Sequence, residues 1–150
     1  MTRPYTLEAA GRAVPSGPAQ PPAQHLAPGA PERRRTTRRE WVLGELTWPE
    51  AKVRLKDVDL ALLPVGAIEQ HGPHAPLDTD SFDAEYLSLR VAEQCSDPKP
   101  LVFPLVPYGV SYQHEDFPGT ISVSNEALGR FVYEIGMSAA HNGITKLIIV

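Results

Sequence analysis

The sequence has little cysteine and no long hydrophobic run. Its single thiol, Cys95, has no partner for an internal disulfide, which is compatible with a reducing compartment and predicts a cytoplasmic protein. No stretch approaches the roughly 18 apolar residues of a membrane span, and the first residues lack the apolar core of a secretory signal. Neither G-x-G-x-x-G nor the Walker A pattern is present. These absences predict no membrane partner and give no support to a nucleotide-binding function.

Large apolar residues are scarce in residues 1–40, whereas proline and arginine are abundant. This segment holds seven of the 16 prolines and seven arginines against three acids, a charge of +4; residues 41–150 carry seven basic and 15 acidic side chains, a charge of −8. A segment so poor in apolar residues cannot offset the entropy of ordering, so we expect 1–40 to be a disordered arm. Its five arginines between positions 33 and 39 favour a solvated basic tail, and the acidic body predicts no nucleic-acid partner.

Residues 41–150 show the alternation of strands and helices that is typical of an α/β domain. Continuous apolar runs predict buried strands at 59–65, 101–106 and 146–150. Pro64 is expected at the end of the first strand, and Pro104 is expected to shorten or kink the second. Capping residues and helical spacing predict three helices: a short one opened by a Thr47/Glu50 capping box, one from Asp80 or Ser81 to about Gln94, and one from Ser124 or Asn125 to the Asn142-Gly143 stop. The β-α-β-α-β order implies a parallel sheet with right-handed crossovers.

Candidate metal ligands cluster in the loop 66–79, which leaves the carboxyl end of the first predicted strand. Ligands of parallel α/β sheets bind at that edge. Glu69 and His71 are two residues apart, so in an extended segment their side chains project to the same side. With Asp80, whose two oxygens are able to bridge paired ions, they form a set suited to Zn²⁺ or Mn²⁺. Taken singly, Asp80 is better explained as an N-cap, and Glu69 and His71 as solvated loop residues. Taken together, at the edge of a parallel sheet and in a loop fixed by glycines and prolines, they favour metal binding.

The loop 107–122 leaves the second predicted strand at the same edge and also carries polar side chains. Ser111 and His114 are candidates for a substrate lip that faces the metal ligands. The alternative is an ordinary surface loop anchored by Tyr108 and Phe117. Composition and spacing do not decide between these two interpretations.

Three blocks of sequence resemble the creatininase (creatinine amidohydrolase) family over about 44–150. The blocks are L-T-W-P-E at 46–50, L-P-V-G-A-I-E-Q-H-G-P-H with P-L-x-T-D at 63–80, and Y-G-x-S-x-x-H-x-x-F-P-G-T at 108–120. The resemblance implies a three-layer α/β fold with a mostly parallel sheet and a two-metal hydrolytic site. It implies that Glu69 and His71 each bind one ion, that Asp80 bridges both, and that His74 is a nearby group that contacts the substrate or a metal ligand.

The implied activity is hydrolysis of a cyclic or linear C–N amide bond by metal-activated water. The implied cofactors are two divalent ions, Zn²⁺ first and Mn²⁺ or Fe²⁺ as alternatives. The substrate is expected to be a small-molecule or peptide amide, and the full-length form a homo-oligomer. Within the family, substrates include creatinine, formamide-bearing pyrimidines and modified peptides of cofactor maturation, among which these residues do not choose.

The resemblance covers only the N-terminal portion of the family pattern. In the family an Asn-Gly-His-Gly-Gly-Asn block follows a strand like 146–150, whereas this sequence ends at Val150. The general acid and base groups are therefore expected beyond residue 150, and 41–150 is expected to be the N-terminal part of the hydrolase domain. The alternative is a truncated, non-catalytic remnant or binding protein that retains the fold with an incomplete metal site.

Overall fold

The structure, a computed structural model, describes residues 40–150. The predicted arm lies outside the described residues apart from Glu40, as does the arginine-rich run within it. The described elements are a 3₁₀ turn η1 (Leu43–Glu45), α1 (Trp48–Arg54), β1 (Leu60–Leu63), α2 (Thr79–Gln94), β2 (Leu101–Val102), a 3₁₀ turn η2 (Tyr112–His114), α3 (Asn125–His141) and β3 (Lys146–Ile149). Within residues 40–150 none of the helices combines the length and apolarity that crossing a bilayer requires.

The three strands form a parallel sheet in the order β2-β1-β3, which confirms the predicted topology. β1 and β2 are shorter than the apolar runs 59–65 and 101–106, as their prolines predict, because proline donates no ladder hydrogen bond. Pro64 ends β1, and Pro104 limits β2 to two residues. Pairing resumes beyond the prolines, where Val65 and Val106 form an isolated parallel bridge. The carboxyl ends of β1 and β2 are therefore held side by side, and the loops that leave them start together.

Local capping determines where the helices begin. Thr47 and Glu50 form the predicted capping box of α1, with the Thr47 N–H donating to Glu50 Oε2 at 2.7 Å. Ser124 caps α3 by accepting from the Ala127 N–H at 3.0 Å. α2 begins one residue earlier than predicted, and its N-cap is Asp78. Asp80 therefore lies inside the first turn, so the interpretation of Asp80 as an N-cap is wrong.

The core is divided between the two faces of the sheet. Alternating side chains of β1 enter different clusters, since Ala61 packs with Ala139 of α3, and Leu62 packs with Ala92 of α2. The two long helices therefore cover opposite faces, and the molecule has the helix–sheet–helix layering expected of a three-layer α/β fold.

The third strand is less buried than predicted. β3 pairs only with β1 and is an edge strand of the described sheet. Ile148 and Ile149 lie on its two faces and keep 49% and 57% of their surface exposed. An apolar run indicates a strand that is able to be buried, but burial also needs neighbours on both faces. The prediction of a buried strand at 146–150 is therefore wrong for the described residues.

Candidate metal centre

The loop that carries the candidate ligands is fixed by close packing between β1 and α2. Gly66 follows β1 and donates its N–H to the Val106 carbonyl at 2.8 Å. A Cβ on Gly66 would lie 2.4 Å from Ser81 Cα, so only glycine allows this approach. The Ser81 hydroxyl is shared by the carbonyls of Ala67 (3.0 Å) and Pro107 (3.2 Å). These contacts hold both ends of the 66–79 loop against the first turn of α2.

Glu69, His71 and Asp80 converge in the structure, as the sequence predicts. One ligand atom from each side chain lies within 4.8 Å of the other two. His71 Nε2 is 3.1 Å from Asp80 Oδ1, and His71 Nδ1 is 3.0 Å from the Glu69 carbonyl oxygen. The side chains are 14% (Glu69), 23% (His71) and 41% (Asp80) exposed, so solvent reaches the cluster from the Asp80 side.

The hydrogen bonds of His71 suit a metal ligand. A carbonyl oxygen only accepts, so Nδ1 carries a hydrogen and Nε2 is the atom available to a cation. Metal-ligating histidines commonly donate their other ring N–H to a carbonyl or carboxylate in this way. In the neutral ring the Nε2 lone pair faces a carboxylate oxygen, and a shared cation relieves the repulsion between these two acceptors. The residues therefore fit a divalent ion bound by nitrogen and oxygen ligands.

The same contacts raise the pKa of His71 above its ordinary value of 6.5. The largest cause is the hydrogen bond to the Glu69 carbonyl; partial burial opposes it, and the hydrogen bond to Asp80 adds to it. A proton therefore competes with a metal ion for Nε2 to a higher pH than it would at an isolated histidine.

The loop 107–122 brings His114 to the cluster. His114 Nε2 lies 3.5 Å from Glu69 Oε1, and the His114 ring has an edge contact with Phe117. Ser111 is fully buried, with its N–H donating to Ser122 Oγ at 2.8 Å and with no hydrogen-bond partner for its hydroxyl among the described residues. His74 is exposed and packs against Gly72. That Ser111, His114 and His74 contact the substrate or support a metal ligand remains a prediction.

Gln70 is the polar residue at the site that the sequence did not single out. Its amide nitrogen is 3.0 Å from His114 Nδ1, and its amide oxygen accepts from the Gly72 N–H at 2.9 Å. Strict alternation places Gln70 on the side opposite Glu69 and His71, but the turn at Gly72, with φ of +72°, bends the segment away from an extended strand. The only signal in the sequence was its position between the two candidate ligands.

A match to a known family spans most of the described residues. The protein-family model described as "Creatininase: Creatinine amidohydrolase" matches residues 44–150. The mycofactocin precursor peptide peptidase of Mycolicibacterium smegmatis is 46% identical over 86 residues, which cover 55% of this chain and 35% of that protein.

Two solved structures are similar in both fold and sequence. The structure described as "Creatininase Mn" has a TM-score of 0.66 and 36% identity, covering 73% of this chain and 44% of its own. A mutant creatininase described as "Zn-Zn type" has a TM-score of 0.65 and 36% identity, covering 72% of this chain and 43% of its own. The chain thus spans less than half the length of these relatives. The extent of the family match and the shared α/β fold show that the chain belongs to the creatininase (creatinine amidohydrolase) family.

Proposed function

We propose that the chain carries the metal-binding portion of a divalent-metal-dependent amidohydrolase, which cleaves a C–N amide bond with activated water. The observation that supports this function is the convergence of Glu69, His71 and Asp80 at the carboxyl end of β1, with their ligand atoms within 4.8 Å of one another. Membership of a family of hydrolases supports the reaction class.

Each of the three side chains has a distinct role in the proposed site. Asp80, which offers two carboxylate oxygens, would contribute to holding both ions, and Glu69 and His71 would each hold one of them. The first turn of α2 fixes the Asp80 backbone, and the Glu69 carbonyl fixes the ring of His71. When bound, the ions supply Lewis acidity that lowers the pKa of water and polarises an amide carbonyl. Zn²⁺ is the first candidate, and the structures described with manganese and with zinc support Zn²⁺ and Mn²⁺ over Fe²⁺.

The proposed substrate is a small-molecule or peptide amide, because the relatives' names include both a creatinine amidohydrolase and a peptide peptidase. Hydrolysis would yield a carboxylate and an amine. The remaining acid and base groups are proposed to come from a segment outside this chain. We also propose that the full-length form is a cytoplasmic homo-oligomer.

Removal of Asp80 tests the metal site directly. We expect Asp80→Ala to weaken Zn²⁺ and Mn²⁺ binding by more than about 100-fold. Loss of a residue that hydrogen-bonds to a metal ligand already costs about 10–100-fold in affinity, and loss of the ligand itself should cost more. Equilibrium dialysis with elemental analysis measures both affinity and the number of ions bound. Asp83→Ala, three residues further along α2 and exposed, is the matched control and should bind as the unmodified chain does.

Amide hydrolysis is measured separately, on the full-length form, with creatinine and a short peptide as substrates. Unchanged metal binding in Asp80→Ala would overturn the site. Metal binding without hydrolysis of either substrate would favour the non-catalytic alternative.

A further inference from the structure

Both polar ends of the Gln70 side chain are engaged, one in its own loop and one in the next. The Gly72 N–H donates to the amide oxygen at 2.9 Å. Because an N–H only donates, the oxygen of the amide must face Gly72, and the NH₂ group must face the other way. The hydrogen bond from the Gly72 N–H therefore determines which end of the Gln70 amide is oxygen and which is nitrogen.

The NH₂ group of Gln70 determines which ring nitrogen of His114 carries the hydrogen. It lies 3.0 Å from His114 Nδ1. An amide nitrogen donates and does not accept, so Nδ1 must accept and the hydrogen of the neutral ring resides on Nε2. The edge contact of the ring with Phe117, at 6.2 Å between centroids, limits rotation of His114. Gln70 thus fixes both the tautomer and the orientation of His114.

His114 in turn directs an N–H at a proposed metal ligand. Its Nε2 lies 3.5 Å from Glu69 Oε1, which is longer than a closed hydrogen bond and within reach of one after a small side-chain movement. Glu69 and His114 are only 14% and 26% exposed, so little water competes for this contact. After that movement, the His114 Nε2–H would donate to Oε1 of Glu69 and orient its carboxylate toward a cation.

From these contacts we propose that Gln70 is a positioning residue of the metal site, acting on Glu69 through His114. The relay runs from the Gly72 N–H through Gln70 and His114 to Glu69, and it couples the loops 66–79 and 107–122. The proposal rests on the proposed function insofar as Glu69 is a ligand. The tautomer of His114 is a property of the metal-free chain and is measurable whether or not the chain binds metal.

The tautomer is tested by long-range ¹H–¹⁵N spectroscopy of the ¹⁵N-histidine-labelled chain at neutral pH. We expect the Nδ1 signal of His114 in the unprotonated range and the Nε2 signal in the protonated range. Gln70→Glu keeps an acceptor for Gly72 but presents an acceptor to Nδ1, so the Nδ1 signal should move to the protonated range. Gln113→Glu places the same charge on the exposed neighbour of His114 and should leave both signals in place. A protonated Nδ1 in the unmodified chain, or an unmoved Nδ1 signal in Gln70→Glu, would overturn the relay.

The effect on the metal site is tested by Zn²⁺ titration of the same variants. We expect Gln70→Glu to weaken Zn²⁺ binding by about 10-fold or more, which is the usual cost of disturbing a residue that orients a metal ligand. In a His114→Gln background, where the new amide reaches Glu69 without help from Gln70, the same change should have little effect. Gln70 does not act through His114 if Gln70→Glu lowers Zn²⁺ affinity equally in the His114→Gln background, or if Gln70→Glu alone leaves Zn²⁺ affinity unchanged. If the unmodified chain binds no Zn²⁺, the proposed function fails while the spectroscopic test still decides the relay.

Discussion

At the scale of single residues, His71 explains how the site would sense pH. Its Nδ1 is committed to the Glu69 carbonyl, so protons and metal ions compete for Nε2 next to Asp80. The pKa of His71 is raised, chiefly by that carbonyl, so the competition extends above pH 6.5. Folding of the metal-free chain depends on pH in the opposite direction. The Glu69 carbonyl first, and Asp80 second, favour protonated His71, so the contribution of His71 to stability is present at low pH and is lost as pH rises through its raised pKa.

We therefore expect Zn²⁺ affinity to rise about tenfold per pH unit below the pKa of His71 and to level off above it. Titrations between pH 5.5 and 8.5 measure this profile. His71→Gln should bind more weakly and lose most of the slope, whereas His141→Gln, at the exposed end of α3, should retain it. A flat profile in the unmodified chain would contradict the role of Nε2.

The proximity of Glu69, His71 and Asp80 was predictable from the sequence because all three lie in one short segment at the carboxyl end of a parallel strand. Spacing alone did not decide that they form a metal site, and their individual roles came from the family resemblance. Whether Asp80 is an N-cap was not predictable. The N-cap of α2 is Asp78, and a shift of only two residues in the helix start would have made it Asp80. Gln70 was missed because its partners are an N–H in a left-handed turn and a histidine 44 residues away.

At the scale of elements, the joint between β1 and α2 positions the site. Gly66→Ala would place a Cβ 2.4 Å from Ser81 Cα, and backbone must move to admit it. We expect the free energy of unfolding to fall by about 1–3 kcal/mol, as for other overpacked sites. Because Asp80 precedes Ser81, the same shift should weaken Zn²⁺ binding. Urea denaturation and Zn²⁺ titration measure the two effects.

Gly129→Ala is the control, and it is expected to raise the free energy of unfolding where Gly66→Ala lowers it. Gly129 lies within α3 and a Cβ there meets nothing within 4 Å. We expect a gain of about 0.5–1 kcal/mol from the lower entropy of the unfolded chain, with Zn²⁺ affinity unchanged. Equal and small effects of the two substitutions would show that the joint is not tightly packed.

Helix starts were predicted to within about one or two residues, because caps such as Thr47/Glu50 and Ser124 act locally. Strand ends were predicted less well. The limits that Pro64 and Pro104 set to β1 and β2 were predicted, but the pairing that resumes beyond them between Val65 and Val106 was not. Burial of β3 was wrongly predicted because burial depends on neighbouring elements that composition does not specify.

At the scale of the whole molecule, the described residues expose large apolar side chains on both β3 and α3. Ile148 and Ile149 of β3 are about half exposed, and so is Phe131 of α3. Beside Phe131, a groove of about 680 Å³ is lined almost wholly by apolar side chains, including Leu63, Phe103 and Leu128. Contiguous apolar surface of this kind commonly marks a contact with another polypeptide segment.

We expect the chain on its own to bind apolar dyes and to associate at high concentration. Ile148→Thr with Ile149→Thr should reduce both effects while retaining β-branched residues in β3, with a stability change of about 1 kcal/mol or less. Dye fluorescence and sedimentation velocity measure the outcome. Val53→Thr, an exposed change in α1, is the control, and equal association in the two variants would exclude β3 as the contact surface.

The sequence separation of the contacts has a consequence for the order of folding. Asp59 and Lys146, where β1 and β3 begin to pair, are 87 residues apart, whereas His71 and Asp80 are nine apart. Closing the longer loop costs more chain entropy and is the slower event. Contacts within the loop 66–79 are therefore expected to form before β3 pairs, and the proposed metal site would be able to bind a cation during folding as well as in the folded state.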